Sequence, residues 1–285
     1  MRLHCAAKIN LSLDVTGKRP DGYHTLESIF QSVSVYDTID LSAEAGEGIT
    51  LRCDTGVPCD ETNLAWKAAK ALLDASGKQA AVTIDLTKRI PSGAGMGGGS
   101  ADAAGVLYGL NQLLDCGFTQ AELCDIGLKL GADVPFMLLG GTAYIEGIGE
   151  KMTPLPSLPA LPLVIVKGTE SISTPAAYRA IDALETPSHP DTAAMLHAVE
   201  TQDMTLLCRS CGNLFEEAAN CADVKRAKAA LLAEGAACAV MTGSGSAVFG
   251  LFTEAERAAD CAAHLKGQFA FVQACTLADT AFVVE

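Results

Sequence analysis

The segment KRIPSGAGMGGGSADAAGVLYGLNQLL, residues Lys88–Leu114, decides how the first half of the chain is interpreted. Its glycines run into a segment with helical apolar spacing, which predicts a loop followed by a helix at Gly99–Leu114. Glycines leave backbone N–H groups accessible, and the helix start adds free N–H groups and the positive end of its dipole. The segment therefore favours a phosphate ligand, with close packing of a helix against backbone as the alternative.

Two named phosphate-loop patterns test this interpretation. The GxxxxGK[ST] pattern requires a lysine after the glycines, and no lysine follows them here. GxGxxG does occur, at Gly93, Gly95 and Gly98, but a dinucleotide fold requires a strand that runs directly into the glycines. Here residues 87–92, which include a proline, follow the predicted strand, and the next predicted element after the helix is another helix. Neither pattern therefore identifies the loop.

The composition is that of a globular protein, since 49% of the 285 residues are hydrophobic and 19% are charged. This length favours two domains over one. The net charge of −14 argues against general nucleic-acid binding and against adsorption to acidic lipid, both of which need clustered Lys and Arg. We therefore expect a small-molecule ligand, with no nucleic-acid and no membrane partner.

The 11 cysteines are scattered, and the N-terminal sequence MRLHCAAKINLSLDV lacks the basic segment and cleavage pattern of a secretory signal. No apolar run approaches the length of a membrane span. These features predict a cytoplasmic protein whose reduced thiols serve as small core residues. The CxxC spacing at Cys208–Cys211 has no second pair and lies in a predicted helix, so no metal site is predicted.

Strand-like and helix-like segments alternate irregularly, which predicts an α+β fold. Four prolines within residues 152–162 interrupt regular structure. We therefore predict an N-terminal domain at 1–155 and a C-terminal domain at 156–285. Strands are predicted at Leu3–Val15, His24–Val35 with a continuation into another, Ala81–Leu86, Leu161–Lys167, 237–241 and 247–252, with closing strands after residue 266. Helices are predicted near 60–77, 99–114, 119–133, 174–185, 191–200, 203–219, 223–234 and 253–266.

Three further segments place polar residues in apolar surroundings. AAKINLSL holds Lys8 and Asn10 in an otherwise apolar strand, with a surface lysine on an edge strand as the alternative. LGADVPFML holds Asp133. A carboxylate in apolar surroundings is costly unless it is paired with another group, so it indicates either such a partner or a functional role. MTGSGSAVFGLF, residues Met241–Phe252, places glycines and serines between two apolar strands, where a plain hairpin turn is the alternative to a functional role.

Together these segments resemble the GHMP family of small-molecule kinases, and the resemblance covers nearly the whole chain in order. The three family motifs correspond to AAKINLSLDVTGKRPDGYHTLES, PSGAGMGGGSADAA and MTGSGSAVFG, while RPDGYH and GADVP are more specific than a lone GxGxxG. The resemblance implies a two-domain GHMP kinase architecture. An N-terminal domain like domain 2 of ribosomal protein S5 would pack on a ferredoxin-like C-terminal domain, with ATP and substrate in the cleft.

Within the family, the segments look most like those of kinases that act on a cytidyl substrate. The resemblance implies ATP-dependent phosphorylation of the 2-hydroxyl of a methylerythritol unit in the non-mevalonate route to isoprenoids. Asp133 would be the catalytic base and Lys8 its electrostatic partner, which keeps the carboxylate ionised. This suits phosphoryl transfer, because positioning and charge stabilisation supply most of its catalysis. Asn10 would hydrogen-bond the substrate near its reacting end.

The resemblance also implies positions for the rest of both ligands. Tyr23 and His24 look like the pair that recognises cytosine, and Tyr178 would offer a second aromatic face, with packing inside its own domain as the alternative. The adenine pocket would lie near Asn63, Trp66 and Lys67. The phosphates of ATP would lie on Pro91, Ser92, Gly93, Ala94, Gly95, Met96, Gly97, Gly98, Gly99, Ser100 and Ala101.

One departure from the family lies in the first turn of the predicted helix. Ala101 and Asp102 stand where the family often has Ser and Asn, so one hydroxyl is missing and the protein ligands of Mg²⁺ stay open. The Ser100 hydroxyl suits a phosphate oxygen or Mg²⁺, and Asp102 would act indirectly or favour the first helical turn. ATP and Mg²⁺ are the expected cofactors, and a monomer or weak homodimer is the expected assembly.

Three alternative functions are disfavoured by the same residues. Another GHMP kinase would act on homoserine, mevalonate or a sugar, but it would have no cytosine for the DGYH segment to recognise. A dinucleotide-dependent oxidoreductase would need a strand directly before the glycines. A non-catalytic binding or regulatory module on the same scaffold would not require Lys8 and Asp133 together, and both residues are present.

Overall fold

The protein is described over residues 1–285 by a computed structural model. It contains two β-sheets and ten helices, so the α+β prediction is confirmed. The strands are Arg2–Lys18 (β1), His24–Glu44 (β2), Gly48–Cys53 (β3), Ala81–Thr87 (β4), Thr142–Gly147 (β5), Lys151–Pro154 (β6), Pro162–Lys167 (β7), Gly212–Asn213 (β8), Cys238–Met241 (β9), Val248–Leu251 (β10), Phe271–Thr276 (β11) and Phe282–Val284 (β12).

The ten helices lie between these strands, and none has both the length and the apolar character needed to cross a membrane. They are Leu64–Ser76 (α1), Gly98–Leu113 (α2), Gln120–Leu128 (α3), Val134–Leu139 (α4), Thr174–Ile181 (α5), Thr192–Thr201 (α6), Met204–Ser210 (α7), Phe215–Ala218 (α8), Ala222–Ala233 (α9) and Ala255–Leu265 (α10).

Strand β1 lies inside the larger sheet, whose order is β12-β1-β2-β4-β3, with β5, β6 and β8 attached to it. It pairs antiparallel with β2 along nearly its whole length, and α2, α4 and α6 also contact it. Because β1 is covered in this way, all of its residues from 5 to 15 are buried. Lys8 is therefore an interior lysine and not a surface lysine on an edge strand.

Helix α2 packs against this sheet through residues without bulky side chains. A Cβ atom at Gly105 would lie 2.3 Å from Cys5 Sγ, and one at Gly109 would lie 2.6 Å from Leu41 Cδ2. Both distances are far shorter than van der Waals contact, so the helix can approach this closely only with glycine. This packing fixes the start of α2, and with it the glycine-rich loop, next to β1.

The smaller sheet has four antiparallel strands in the order β11-β7-β10-β9. Helices α9 and α10 pack on it. Strand β7 is followed, after an insertion that holds α5 to α8 and the short β8 of the larger sheet, by α9, β9, β10, α10 and β11. With the insertion set aside, this is the β-α-β-β-α-β order of a ferredoxin-like unit. The ferredoxin-like arrangement implied by the resemblance is thus present in the second half of the chain.

Two predicted helices differ most from the structure. The helix predicted over 203–219 is wrong, because α7, β8 and α8 occupy that range. The amide of Asn213 donates to the carbonyls of Met241 and Gly243 at 2.7 and 2.8 Å, and its Oδ1 accepts from Phe215 N at 3.0 Å. These tertiary contacts stabilise the non-helical segment between α7 and α8. The helix predicted to run to residue 133 instead ends at Leu128, although its Thr119–Glu122 capping box is present.

The chain crosses between the two sheets more than once. Strand β6 ends the run of N-terminal strands and β7 opens the smaller sheet, but β8 and β12, from the second half, pair with β1. The division of the chain at residue 155 therefore stays a prediction. All 11 cysteines are free.

Candidate active site

Lys8 occupies the centre of the site although its side chain is only 4% exposed. Its Nζ donates to Asn10 Oδ1 at 2.8 Å and lies 4.4 Å from the centre of the Phe30 ring. Burial lowers the pKa of Lys8, and the nearby Asp133 carboxylate opposes that shift. The ammonium is thus held in place by a hydrogen bond and an aromatic face, with one carboxylate near it.

Asn10 connects Lys8 to the C-terminal half of the chain. Its Oδ1 also accepts from Gly243 N at 2.9 Å, and its backbone N–H donates to Thr242 Oγ1 at 3.1 Å. Its Nδ2 donates to Ser28 Oγ at 2.9 Å. Since an amide nitrogen carries two hydrogens, one N–H of Asn10 has no partner in the chain, and the residue, which is 1% exposed, lines the central cavity.

Asp133 faces the same cavity from the start of α4. It occupies the N-cap position but makes no capping hydrogen bond, and Pro135 near the start of the helix needs no N–H partner. Its Oδ2 lies 4.0 Å from Lys8 Nζ, and its side chain is 35% exposed. The carboxylate is therefore near a fixed positive charge and accessible to a ligand.

The glycine-rich loop lies directly against this pair. Gly97 has φ 71°, and a Cβ there would be 2.2 Å from Met137 Cε, 3.5 Å from Lys8 Cγ and 3.6 Å from Asp133 Oδ2. Lys8 N–H also donates to the Met96 carbonyl at 3.1 Å. Glycine at position 97 thus allows the loop to run close to both charged side chains. Helix α2 begins at the next residue, one position earlier than predicted.

The C-terminal glycine turn packs on the loop and is more than a plain hairpin turn. A Cβ at Gly95 would lie 2.2 Å from the Thr242 carbonyl oxygen, and one at Gly243 would lie 2.8 Å from the Gly95 backbone. Ala247 N–H donates to the Ala94 carbonyl at 3.3 Å. The second and third motifs of the chain are therefore in backbone contact.

Sequence reasoning missed the charged cluster beneath the loop. Lys88 Nζ contacts Asp102 Oδ2 at 2.5 Å and also contacts Asp37, whose Oδ1 accepts from Ile90 N at 2.8 Å. Asp102 is 3% exposed, and its Oδ1 has no hydrogen-bond partner. Burial raises the pKa of Asp102 to about 7, although Lys88 opposes the shift. Asp102 therefore does not line the cavity at the loop, and it pairs with Lys88, which does.

The aromatic residues predicted for cytosine come together at the end of the β1–β2 hairpin. The His24 and Tyr178 rings stack at 4.7 Å between centres with an angle of 19°, and Tyr178 meets Phe215 edge-on. Tyr23 is 61% exposed. His24, Tyr23 and Tyr178 line one cavity of about 410 Å³.

Three adjoining cavities connect these parts. The loop cavity, of about 210 Å³, shares Gly95 and Gly97 with the Lys8–Asp133 cavity of about 200 Å³. The Lys8–Asp133 cavity in turn shares Thr174 and Tyr178 with the aromatic cavity. A ligand path therefore runs from the glycine-rich loop, past Lys8 and Asp133, to the aromatic rings.

Asn63, Trp66 and Lys67, the residues predicted to lie near adenine, do not line any of these three cavities. Asn63 caps α1, because its Oδ1 accepts from Ala65 N, and its Nδ2 donates to the Pro58 carbonyl. The start of α1 does approach the loop, since a Cβ at Gly99 would lie 3.5 Å from Leu64 Cδ1. The adenine position stays a prediction.

The chain matches two family descriptions, "GHMP kinases N terminal domain" over residues 63–141 and "GHMP kinases C terminal" over residues 195–270. A relative named 4-diphosphocytidyl-2-C-methyl-D-erythritol kinase, from Clostridium novyi (strain NT), is 39% identical over 266 residues. The match covers 92% of this chain and 95% of that relative. A relative of the same name, from Lachnoclostridium phytofermentans, is 42% identical, with 90% of each chain covered.

Solved structures show the same relationship. A crystal structure of 4-(cytidine 5'-diphospho)-2C-methyl-D-erythritol kinase matches with a TM-score of 0.85 and 35% identity, over 97% of this chain and 99% of that chain. Homoserine kinase from Cytophaga hutchinsonii matches with a TM-score of 0.79 and 21% identity over 100% and 97%, which shows the shared fold alone. The predicted two-domain architecture is confirmed, and the chain belongs to the GHMP kinase family, in the group of 4-diphosphocytidyl-2-C-methyl-D-erythritol kinases.

Proposed function

We propose that the chain transfers the γ-phosphoryl group of ATP to the 2-hydroxyl of 4-diphosphocytidyl-2-C-methyl-D-erythritol, a step in the non-mevalonate formation of isoprenoid precursors. The observation that carries the proposal is the order of the three adjoining cavities. ATP phosphates would lie at the glycine-rich loop, the acceptor hydroxyl beside Asp133, and the cytidyl end against the aromatic rings. The names of the relatives support this choice of substrate.

In this proposal Asp133 accepts the proton of the attacking hydroxyl. Its carboxylate is accessible and is not used as a helix cap. Lys8, fixed by Asn10 and Phe30, stabilises negative charge on the carboxylate and on the transferring group. The N–H of Asn10 that has no partner in the chain is placed to donate to the substrate.

The loop residues 91–101 would hold ATP through backbone N–H groups and the start of α2. These groups are suited to phosphate because they carry partial positive charge. Mg²⁺ would neutralise charge on the phosphates when bound. The chain presents no cluster of three His, Cys, Asp or Glu residues for a metal, which fits an ion that is held mainly by phosphate oxygens and water. The Ser100 hydroxyl is the candidate protein ligand for Mg²⁺ at the phosphate end of the site.

At the other end, a cytosine does not fit between His24 and Tyr178, because those rings already stack on each other. We propose that the base stacks on the exposed Tyr23 and meets the edge of His24, while Tyr178 holds the plane of the His24 ring. Stacking on Tyr23 would bury the apolar face of the base, and a hydrogen bond to the edge of the His24 imidazole would distinguish one base from another.

A coupled ADP-release assay tests the proposal with three acceptors: the cytidyl substrate, homoserine and mevalonate. We expect turnover of the cytidyl substrate and none of the other two. Turnover of homoserine or mevalonate, without turnover of the cytidyl compound, would contradict the proposed substrate while leaving the kinase family intact.

A further inference from the structure

Asp182 joins the two strands of the β1–β2 hairpin to helix α5 at the edge of the aromatic cavity. Lys18 and His24 are register partners next to the turn of the hairpin, and both side chains reach the same carboxylate. Lys18 Nζ lies 2.5 Å from Asp182 Oδ2, and His24 Nε2 lies 2.7 Å from Asp182 Oδ1. Asp182 directly follows the last residue of α5.

The charge of Asp182 determines which ring nitrogen of His24 carries a proton. The hydrogen bonds from Lys18 and then from His24 lower the pKa of Asp182, so its carboxylate is ionised near neutral pH. An ionised carboxylate only accepts hydrogen bonds, so the Nε2 atom of His24 must be the donor. In the neutral imidazole the other nitrogen, Nδ1, is then an acceptor.

The orientation of the ring is fixed as well as its protonation. Stacking on Tyr178 sets the plane of the His24 ring, and the bond to Asp182 sets its rotation within that plane. The His24 side chain is 9% exposed, and its ring makes no hydrogen bond in the chain except through Nε2. Nδ1 is therefore left as an acceptor next to the cavity that we assign to the base.

We propose that Asp182 is a positioning residue that holds His24 in the Nε2–H form and thereby makes the site select cytosine over uracil. The inference rests on the proposed function. Cytosine presents an exocyclic amino group, which can donate to Nδ1, whereas uracil presents a carbonyl oxygen at that position. Two acceptors would then face each other, and neither would be satisfied.

The other charged groups around this cavity do not set the tautomer. Lys18 and Arg179 line it along with Asp182, and both are donors only. Arg19 and Asp21 pair with each other within the hairpin. Asp182 is the carboxylate that contacts the His24 ring.

The test compares kcat/KM for the cytidyl substrate with that for its uridyl counterpart. Asp182→Asn replaces the carboxylate with an amide that can donate to Nε2, which allows the His24 proton to move to Nδ1. We expect the cytidyl preference of the wild type to fall about tenfold or more, the size of one lost hydrogen bond, mainly through a raised KM for the cytidyl substrate. Asp85→Asn, which removes an exposed partner of Arg52 on the larger sheet, should leave the preference unchanged.

A second measurement reads the tautomer directly. Long-range ¹H–¹⁵N spectra of the imidazole rings, assigned with a His24→Ala variant, should show His24 in the Nε2–H form in the wild type and in Asp85→Asn. Asp182→Asn should shift it towards the Nδ1–H form. An Nδ1–H ring in the wild type, or an Asp182→Asn variant that keeps both the tautomer and the cytidyl preference, would overturn the inference.

These outcomes separate the inference from the proposed function. A wild type that does not phosphorylate the cytidyl compound contradicts the proposed substrate, and with it the role given to His24. A wild type that phosphorylates the cytidyl and uridyl compounds equally well keeps the reaction and overturns only the role of Asp182.

Discussion

Lys8 Nζ and Asp133 Oδ2 lie 4.0 Å apart across the central cavity, and the Lys8 ammonium donates to Asn10 and not to this carboxylate. This separation is too long for a hydrogen bond. The hydrogen bond of Lys8 goes to Asn10 instead, so the Asp133 oxygens stay available to a hydroxyl while a positive charge remains near them. The arrangement suits a base that must accept a proton beside a developing negative charge.

Replacing Asp133 tests its role as a base. We expect Asp133→Ala to lower kcat by about 10²–10⁴, the usual contribution of a general base. ATP binding, measured by calorimetry, should persist because Asp133 makes no capping hydrogen bond that the fold requires. A variant that keeps wild-type turnover would remove Asp133 from this role.

The pH dependence of activity should reflect the burial of Lys8. Burial lowers the pKa of Lys8 while Asp133 opposes the shift, so the ammonium loses its proton at lower pH than an exposed lysine does. We expect kcat to fall on the alkaline side below the range of an ordinary lysine. Lys8→Arg keeps its charge at high pH, so the same limb should disappear even if the overall rate drops. An identical alkaline limb in that variant would assign the titration to another group.

Thr242 should act on the reaction through the Asn10 contact. Thr242→Val removes the hydroxyl that accepts from Asn10 N, which leaves a buried N–H unsatisfied. We expect a loss of about 1–3 kcal/mol in unfolding free energy and a lower kcat with little change in the KM for ATP. Thr242→Ser retains the hydroxyl and is the matched control. Equal kinetics in the two variants would show that the hydroxyl has no effect on Lys8.

The cluster beneath the loop predicts how stability changes with pH. The pKa of Asp102 is raised to about 7 in the folded protein, above the unfolded value of about 3.9. Its contribution to stability is therefore fully present below pH ~4 and is lost as the pH rises through about 7. Asp102→Asn removes this titration, so its melting temperature should improve relative to the wild type between pH 5 and pH 8. A constant difference across that range would contradict the assignment.

Those parts of the candidate site that lie within a single continuous motif could be predicted from the sequence. The resemblance carried by RPDGYH, GADVP and the glycine-rich loop implied Lys8, Asp133 and the aromatic residues as parts of one site, and the structure brings them to adjoining cavities. Local patterns also predicted most helices and strands, because capping residues such as Thr119 act within one turn.

The contacts between distant segments could not be predicted in this way. Asn213 interrupts a helical pattern because its amide bonds to carbonyls in the C-terminal turn, and no local signal indicates those partners. Lys88 stands in the glycine-rich segment itself, but its role depends on Asp37 from another strand. Asp182 and Thr242 were missed for the same reason: each side chain acts on a residue far away in the sequence.

The most direct test of the account is the position of the new phosphate, read by ³¹P NMR after reaction of the cytidyl substrate with ATP. Carbon 2 of 2-C-methyl-D-erythritol bears a methyl group and no hydrogen, so a phosphate on its oxygen has no three-bond coupling to a carbinol hydrogen. We predict ADP and a new uncoupled phosphomonoester signal. A phosphomonoester signal split by carbinol hydrogens would place the transfer at another hydroxyl and contradict the account.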